Sequence, residues 1–303
     1  MTTLCVFNPE HDLCLANGNE HYVPPQSALR FADEGRAVMR SIYGDDVLTT
    51  SVDGVGKVIS TLPTDEEYIV IPWGWDSSLK YRLLKQGVKA HCLMSDEKIE
   101  IIRALQHRSS TLPLQPDVIA ATSVMEVERF VVEQRRVVLK APWSGAGRGL
   151  RWISERLSEH DAHWIERVVA DQRCVMVEPR RNVVADFALE YYVGNPPHTL
   201  RTGYEDRGSG FSFLGYSLFE TQSGVYRRNI CWSGMAIREY IVSVSSERTF
   251  SDKVSDIERW MRETLVGRYD GPLGVDLFVD DRCDIYVSEV NLRHTMGMVC
   301  VVD

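Results

Sequence analysis

Two apolar runs near the C-terminus carry polar groups where a simple core would have none. The first is Gly274-Val-Asp276-Leu-Phe-Val, and the second is Tyr286-Val-Ser-Glu289-Val-Asn291-Leu-Arg293. Side chains alternate between the two faces of a strand, so Glu289, Asn291 and Arg293 share a face. If the runs pair, Asp276 joins them and three oxygen ligands meet at one point. A hairpin with a solvated polar face is the plain alternative. The apolar flanks weigh against it, because acid or amide groups buried without partners are costly. Mg²⁺ takes few carboxylates and completes its shell with phosphate oxygens and water. Asp276, Glu289 and Asn291 are therefore candidate metal ligands, with Arg293 a positive charge on the same face.

A second signal lies upstream, in Val137-Val-Leu-Lys140-Ala-Pro-Trp-Ser144-Gly145-Ala146-Gly147-Arg-Gly149-Leu. Glycines let backbone N–H groups approach phosphate oxygens closely, and a lysine ending the preceding strand adds a point charge. The spacing is neither GxxxxGK[ST] nor GxGxxG. The segment also lies between two strand-like runs and opens no helix, which favours a flap over phosphates and disfavours a Rossmann turn. By itself it is equally a glycine-rich hairpin without a ligand.

The remaining pattern is mixed. Residues 3–7, 68–71 and 88–93 read as strands, with helical spacing over 25–42 and 80–86, which implies a small parallel α/β unit. Ser95-Asp96 reads as a helix start, and Ser123-Val-Met-Glu126 as a capping box. After Cys174 the runs 175–177, 187–193, 211–218, 224–230, 274–279 and 284–290 read as strands. An amphipathic helix over 252–266 interrupts them. The boundaries expected are 1–94, 95–173 and 174–303.

Composition removes some function classes. The 303 residues carry a formal net charge of -9, the opposite of the basic excess by which proteins bind nucleic acid. Cys5, Cys14, Cys92, Cys174, Cys231, Cys283 and Cys300 form no CxxC pair, so they read as reduced thiols of a cytoplasmic protein. No signal peptide and no membrane-spanning run is expected.

In this order the signals resemble the ATP-grasp superfamily. The resemblance covers roughly residues 95–298 and implies two α+β domains clasping ATP, here preceded by the small parallel α/β domain, which matches no member. It implies that Lys140 is the second phosphate-binding lysine and that Lys98, in Asp96-Glu-Lys98, is the first. Ser144, Gly145, Ala146, Gly147 and Gly149 form the flap. Val175-Met-Val-Glu178 resembles the linker that meets the adenine edge, and Asp186 lies where a ribose-binding acid is usual. Asp276, Glu289 and Asn291 match the magnesium ligands. The thirteen-residue gap from Asp276 to Glu289 is similar to that of D-alanine–D-alanine ligases, and Glu289-Val-Asn-Leu-Arg293 to the ExNxR run of biotin-carboxylase-like members. Gly274 replaces an arginine of the D-alanine ligases, which argues against that reaction, and Pro179-Arg180-Arg181 departs from the usual hinge.

The resemblance implies ATP and Mg²⁺ (or Mn²⁺) as cofactors and an ADP-forming carboxylate–amine ligase. The substrate carboxylate becomes an acyl phosphate, and an amine displaces phosphate. Lys98, Lys140 and the metal offset phosphoryl charge, and Arg293 holds the carboxylate or the oxyanion. A kinase acting on a small molecule and a non-catalytic nucleotide-binding protein stay open. The partners expected are small-molecule carboxylates and amines, with no nucleic acid and no membrane, and a homodimer is one open assembly. Asn8-Pro-Glu10-His11-Asp12 and Trp73-Gly-Trp75-Asp76 end strands and are candidate lips of the site. For His11-Asp12, a turn with a satisfied histidine is the preferred reading, and for the tryptophans simple packing is equally open. Arg201, Arg227 and Arg228 read as a solvated face sooner than as an anion pocket.

Overall fold

The structure is a computed structural model that describes residues 2–30, 35–144, 149–201, 203–208, 210–222 and 224–301. The N-terminal elements are β1 (Thr2–Phe7), α1 (His11–Asn17), α2 (Gln26–Leu29), α3 (Gly35–Tyr43), β2 (Leu48–Ser51), α4 (Val55–Ile59), β3 (Tyr68–Pro72) and α5 (Ser77–Lys85). The three strands form a parallel sheet in the order β2-β1-β3. A parallel sheet is covered on both faces, and this one is. Leu4 and Val6 pack with Val55, Leu79 and Leu83 on one side. Cys5 and Phe7 pack with Met39, Ile42 and Trp73 on the other, where Leu214 and Met298 from the C-terminal part join them.

Residues 88–93 are not a fourth strand. Ala90–Cys92 is a 3-10 turn, tied to β3 by side chains: the Lys89 N–H donates to the Tyr68 hydroxyl and the Cys92 thiol to the Tyr68 carbonyl. His11-Asp12, read as a turn, opens a helix, His11–Asn17, closed by Gly18 in the left-handed region.

A second sheet follows from α6 (Asp96–Gln106), β4 (Ile119–Ala121), α7 (Val124–Gln134), β5 (Arg136–Lys140), β6 (Leu150–Ser154), α8 (Glu159–Gln172) and β7 (Val175–Pro179). It is antiparallel, in the order β4-β7-β5-β6. Helices α7 and α8 supply Val127, Val131, Trp164, Ile165 and Val168 to its core. The run at 175–177 therefore pairs with the lysine-ended strand and not with the later strands. Ser95 caps α6 and Ser123 caps α7. The Glu126 carboxylate accepts from the Thr122 N–H at 2.7 Å, one residue before the expected box partner.

The third sheet contains β8 (Val183–Val193), β9 (Glu205–Asp206), β10 (Phe211–Gln222), β11 (Val225–Ile230), β12 (Gly271–Asp280) and β13 (Ile285–Asn291), with α9 (Gly234–Val244), α10 (Glu247–Thr264) and α11 (Met298–Val301). Its order is β11-β10-β8-β12-β13, with β9 beside β10. One face is the main core. Phe187, Leu189 and Tyr191 of β8 and Leu273, Val275 and Leu277 of β12 pack there on α6, α9 and α10. Alternation sends Asp186, Ala188 and Glu190, and Gly274, Asp276 and Phe278, to the opposite face.

The cysteine reading needs correction. Cys231 and Cys300 are joined, 69 residues apart in sequence. No spacing motif marks the pair, because it is the folding back of α11 onto β10 that brings the chain end to the segment after β11. Cys5, Cys14, Cys92, Cys174 and Cys283 are free. Among the described residues no helix is long and apolar enough to cross a membrane.

Candidate active site

The acids on the face of the third sheet opposite its main core are aligned by strand pairing. Asp276 lies directly opposite Glu289, while Leu277 lies opposite Val287. Ser288 is thus an extra residue, a bulge that shifts the alternation. Val287 and Val290 both enter the core, and Glu289 and Asn291 both remain on the site face. The Asn291 amide donates to Asp276 Oδ2 at 3.1 Å. Glu190, one strand over, lies opposite Gly274 and accepts from Ser217 and Thr295 hydroxyls at 2.9 Å each.

Burial, and then the charges of Glu289 and Glu190, push the Asp276 carboxyl well above the usual carboxylate range, against Arg293 and the Asn291 hydrogen bond. Burial pushes Glu190 up to about 7. A divalent ion relieves this like-charge crowding, so the donor chemistry fits one. Among the described residues, no group of three His, Cys, Asp or Glu side chains can hold a metal by itself. The set has two carboxylates and an amide, and a cation there needs further oxygen, as phosphate and water supply to Mg²⁺.

Lys140, at the end of β5, reaches this face from the second sheet. Its ammonium lies 2.8 Å from Glu178 Oε1 and donates to the carbonyl and hydroxyl of Ser288, the bulge residue, at 3.4 Å each. The bulge that keeps Glu289 on the site face therefore also meets the lysine. Strands β5 and β6 are antiparallel with Lys140 opposite Leu150, and the Ala141 N–H donates to the Gly149 carbonyl at 2.9 Å. A Cβ at Gly149 would come 2.5 Å from the Ser144 side chain, so any larger residue would have to displace it. Gly145, Ala146 and Gly147 lie outside the described residues.

Arg293 is fixed from the first helix, α1. Its Nε and one terminal nitrogen donate to the two Asp12 oxygens at 2.8 and 2.9 Å, and the other terminal nitrogen donates to the His294 carbonyl at 2.9 Å. Burial alone would raise Asp12, but the Arg293 charge outweighs it and holds the carboxyl low. His294 is buried between the Trp73 carbonyl and the Tyr43 hydroxyl, and burial pushes its imidazole down to about 4. The strand ends of the parallel sheet thus abut the ExNxR strand. His11 is held by Asp76 at 3.3 Å, with its Nε2 buried and unpartnered. Arg228 pairs with Glu220 on an exposed edge.

Not every candidate joins the cluster. Lys98 is exposed and pairs with Asp270 at 3.3 Å. Asp270 precedes Asp276 by six residues, or about 20 Å along an extended strand. A different cation occupies the acid cluster: Arg108 donates to Glu289 Oε1 at 2.6 Å. Nothing in the sequence around Arg108 marks it. Glu190 carried a usable signal, an acid inside the apolar run Phe187–Val193, the same signal that singled out Asp276. Asp186 lies beside Phe278 and accepts from Thr221 at 2.7 Å. Burial raises its carboxyl and that hydrogen bond opposes the shift.

Two shallow clefts lie nearby, one reaching Glu178, the partner of Lys140, and the other reaching Glu289 and Ser144. One is lined by Gln115, Glu178, Pro179, Arg181, Phe278 and Tyr286. The other is lined by Asp12, Leu15, Trp143, Ser144 and Glu289.

No family model matches the sequence, and no curated protein matches it. Solved structures do. Biotin carboxylase from Campylobacter jejuni, in a complex with β,γ-ATP, aligns over 99% of this chain and 70% of its own at 12% identity, with a TM-score of 0.55. The biotin carboxylase domain of 2-oxoglutarate carboxylase from Hydrogenobacter thermophilus, a dimer with MgADP and bicarbonate, aligns over 99% and 69% at 13% identity and 0.50. An ADP complex of N5-carboxyaminoimidazole ribonucleotide synthetase aligns over 97% and 70% at 12% identity and 0.50. These are ATP-grasp enzymes, and the chain has the ATP-grasp fold.

Proposed function

We propose that the protein is an ATP- and Mg²⁺-dependent ligase that activates a small-molecule carboxylate as an acyl phosphate and couples it to an amine, releasing ADP and phosphate. The observation that carries this reading is the meeting of Lys140 with the Asp276–Glu289–Asn291 cluster through the Ser288 bulge. A lysine from one sheet, paired with Glu178, there reaches the residue next to Glu289 in the acidic cluster of another. Phosphoryl transfer asks for little else: a cation on the transferring group and ligands for Mg²⁺.

The two clefts give this site a direction. The first has the stacked rings of Phe278 and Tyr286, 5.4 Å apart, with the Arg181 guanidinium over Tyr286 at 3.6 Å, and the chain at Glu178–Pro179; this is the side assigned to adenine. Asp186 beside Phe278 suits a ribose hydroxyl. Lys140, Ser144 and Gly149 suit the phosphates, and Asp276, Glu289 and Asn291 suit the metal. The second cleft, between Glu289 and Asp12, then takes the acid and the amine. Mg²⁺ bound there would neutralise charge on the phosphates. Arg293, held by Asp12, keeps two N–H groups beyond its three hydrogen bonds, which can meet a carboxylate or an oxyanion.

The division of the chain proposed with this function is a substrate-side unit over 1–94, a flap-bearing unit over 95–173 and a metal-bearing unit over 174–303, with β7 contributing to the second sheet. The pairing of Arg293 with Asp12 also suits a kinase, in which no substrate carboxylate needs the guanidinium. ADP release across a panel of carboxylic acids and amines, with hydroxylamine present, separates the two. A ligase gives a hydroxamate from its acyl phosphate. A stable phosphate ester with no hydroxamate would replace the ligase by the kinase. With the acid identified, Arg293→Ala should retain Mg–ATP binding and lose about 10²-fold or more in carboxylate-dependent ADP formation.

A further inference from the structure

The chain between α6 and β4 runs along the outer edge of β13, where a further strand would lie. Gln106 donates to the Val290 carbonyl at 2.7 Å and accepts from the Leu292 N–H at 2.6 Å, and Gln115 donates to the Val287 carbonyl at 2.7 Å. Arg108 is carried between these two amides, with its own carbonyl bound by the Thr111 hydroxyl at 2.8 Å. Its guanidinium donates to Glu289 Oε1 at 2.6 Å, to the Ala141 carbonyl at 2.5 Å, and to the hydroxyl and carbonyl of Ser144 at 2.7 and 3.3 Å. Its Nε is buried without a partner. Every side-chain hydrogen bond named for Arg108 goes to the chain after Lys140 or to Glu289.

We propose that Arg108 is a resident cation at Glu289, and that this guanidinium and a divalent ion exclude one another there. The proposal rests on the metal reading of Glu289. Asp276 and Glu289 lie side by side on neighbouring strands, so without a cation their charges repel. The rigid guanidinium fork compensates Glu289. A divalent ion needs the same carboxylate oxygens, and its charge repels the guanidinium. Its entry therefore releases Arg108 from Glu289. Because the same fork holds Ala141 and Ser144, occupancy of the acid cluster is coupled to the base of the Gly-rich segment. Arg108 is a positioning residue in this account, acting through Glu289 and Ser144.

The test is binding of Mn²⁺ alone, followed by electron paramagnetic resonance and by thermal shift, in the wild type, Arg108→Gln, Arg108→Lys and Glu289→Gln. Arg108→Gln should bind Mn²⁺ about tenfold more tightly than the wild type, since no charged hydrogen bond is broken on entry. Its melting temperature should rise more on adding Mn²⁺. Arg108→Lys restores a competing charge and should return the affinity toward the wild type, which loss of packing alone does not predict. Equal or weaker Mn²⁺ binding by a folded Arg108→Gln overturns the proposal while leaving the metal reading intact. Unchanged binding by Glu289→Gln, or no binding by any of the proteins even with ADP, overturns the metal reading and the proposal with it.

Discussion

Asp12 and Arg293 close a two-bonded fork across 281 residues of sequence, at 2.8 and 2.9 Å. The carboxylate comes from the first helix and the guanidinium from just beyond the last strand of the acid cluster, so one ion pair joins the parallel sheet to the candidate site. Both side chains are largely buried. Such a pair is weak support for stability when intact, but removing one partner strands the other charge. Asp12→Asn or Arg293→Gln alone should each cost about 2–3 kcal/mol, and the double variant well under their sum. Urea unfolding of the four proteins measures the coupling. Additive losses would mean that the pair is not a unit.

Glu190 predicts a pH dependence. Its carboxyl is pushed up to about 7 by burial, from an ordinary value of 4.5. The folded state then binds the proton more tightly than the unfolded state. Stability from this group is present below the unfolded value and is lost as pH rises through about 7. The shift is worth about 3 kcal/mol. Glu190→Gln keeps the shape and removes the ionisation, so its melting temperature should exceed that of the wild type at pH 8, with the gap closing by pH 5. A constant difference across that range would show that Glu190 is not the group responsible.

The Cys231–Cys300 link closes a loop of 69 residues. Cross-links of such span restrict the unfolded chain, commonly by about 2–4 kcal/mol. Cys300→Ser should lower the denaturation midpoint by a corresponding amount under non-reducing conditions and coincide with the wild type under dithiothreitol. Identical midpoints in both conditions would exclude a stabilising link.

Periodicity and residue chemistry made the acidic strands, the lysine-ended strand and the helices at Ser95 and Ser123 legible, because each is specified by neighbours in sequence. The Ser288 bulge was not, since alternation alone takes β13 as regular and only pairing with β12 reveals the extra residue. Arg108 and Lys98 show the same limit. Both are cations on one stretch of chain, and which one meets the acids depends on how α6 lies on β13, set by Gln106 and Gln115. The partner of Arg293 was equally hidden, because Asp12 arrives from the first helix, 281 residues away in sequence. The parallel sheet was read from its apolar runs, yet its edge was misassigned, because residues 88–93 are held by side chains and not by a ladder.

In the proposed function, Lys140 and the Asp276–Glu289–Asn291 cluster bind a nucleotide with a divalent ion. Calorimetric titration of ATP into the protein, with and without Mg²⁺, tests it most directly, using the wild type, Lys140→Ala, Glu289→Gln and Lys98→Ala. The wild type should bind ATP in a Mg²⁺-dependent way, and Lys140→Ala should weaken this binding about tenfold or more. Glu289→Gln should lose the Mg²⁺ dependence, and Lys98→Ala, an exposed pair worth about 0–1 kcal/mol, should match the wild type. ATP binding that ignores Mg²⁺, or equal binding by the wild type, Lys140→Ala and Glu289→Gln, would contradict the account.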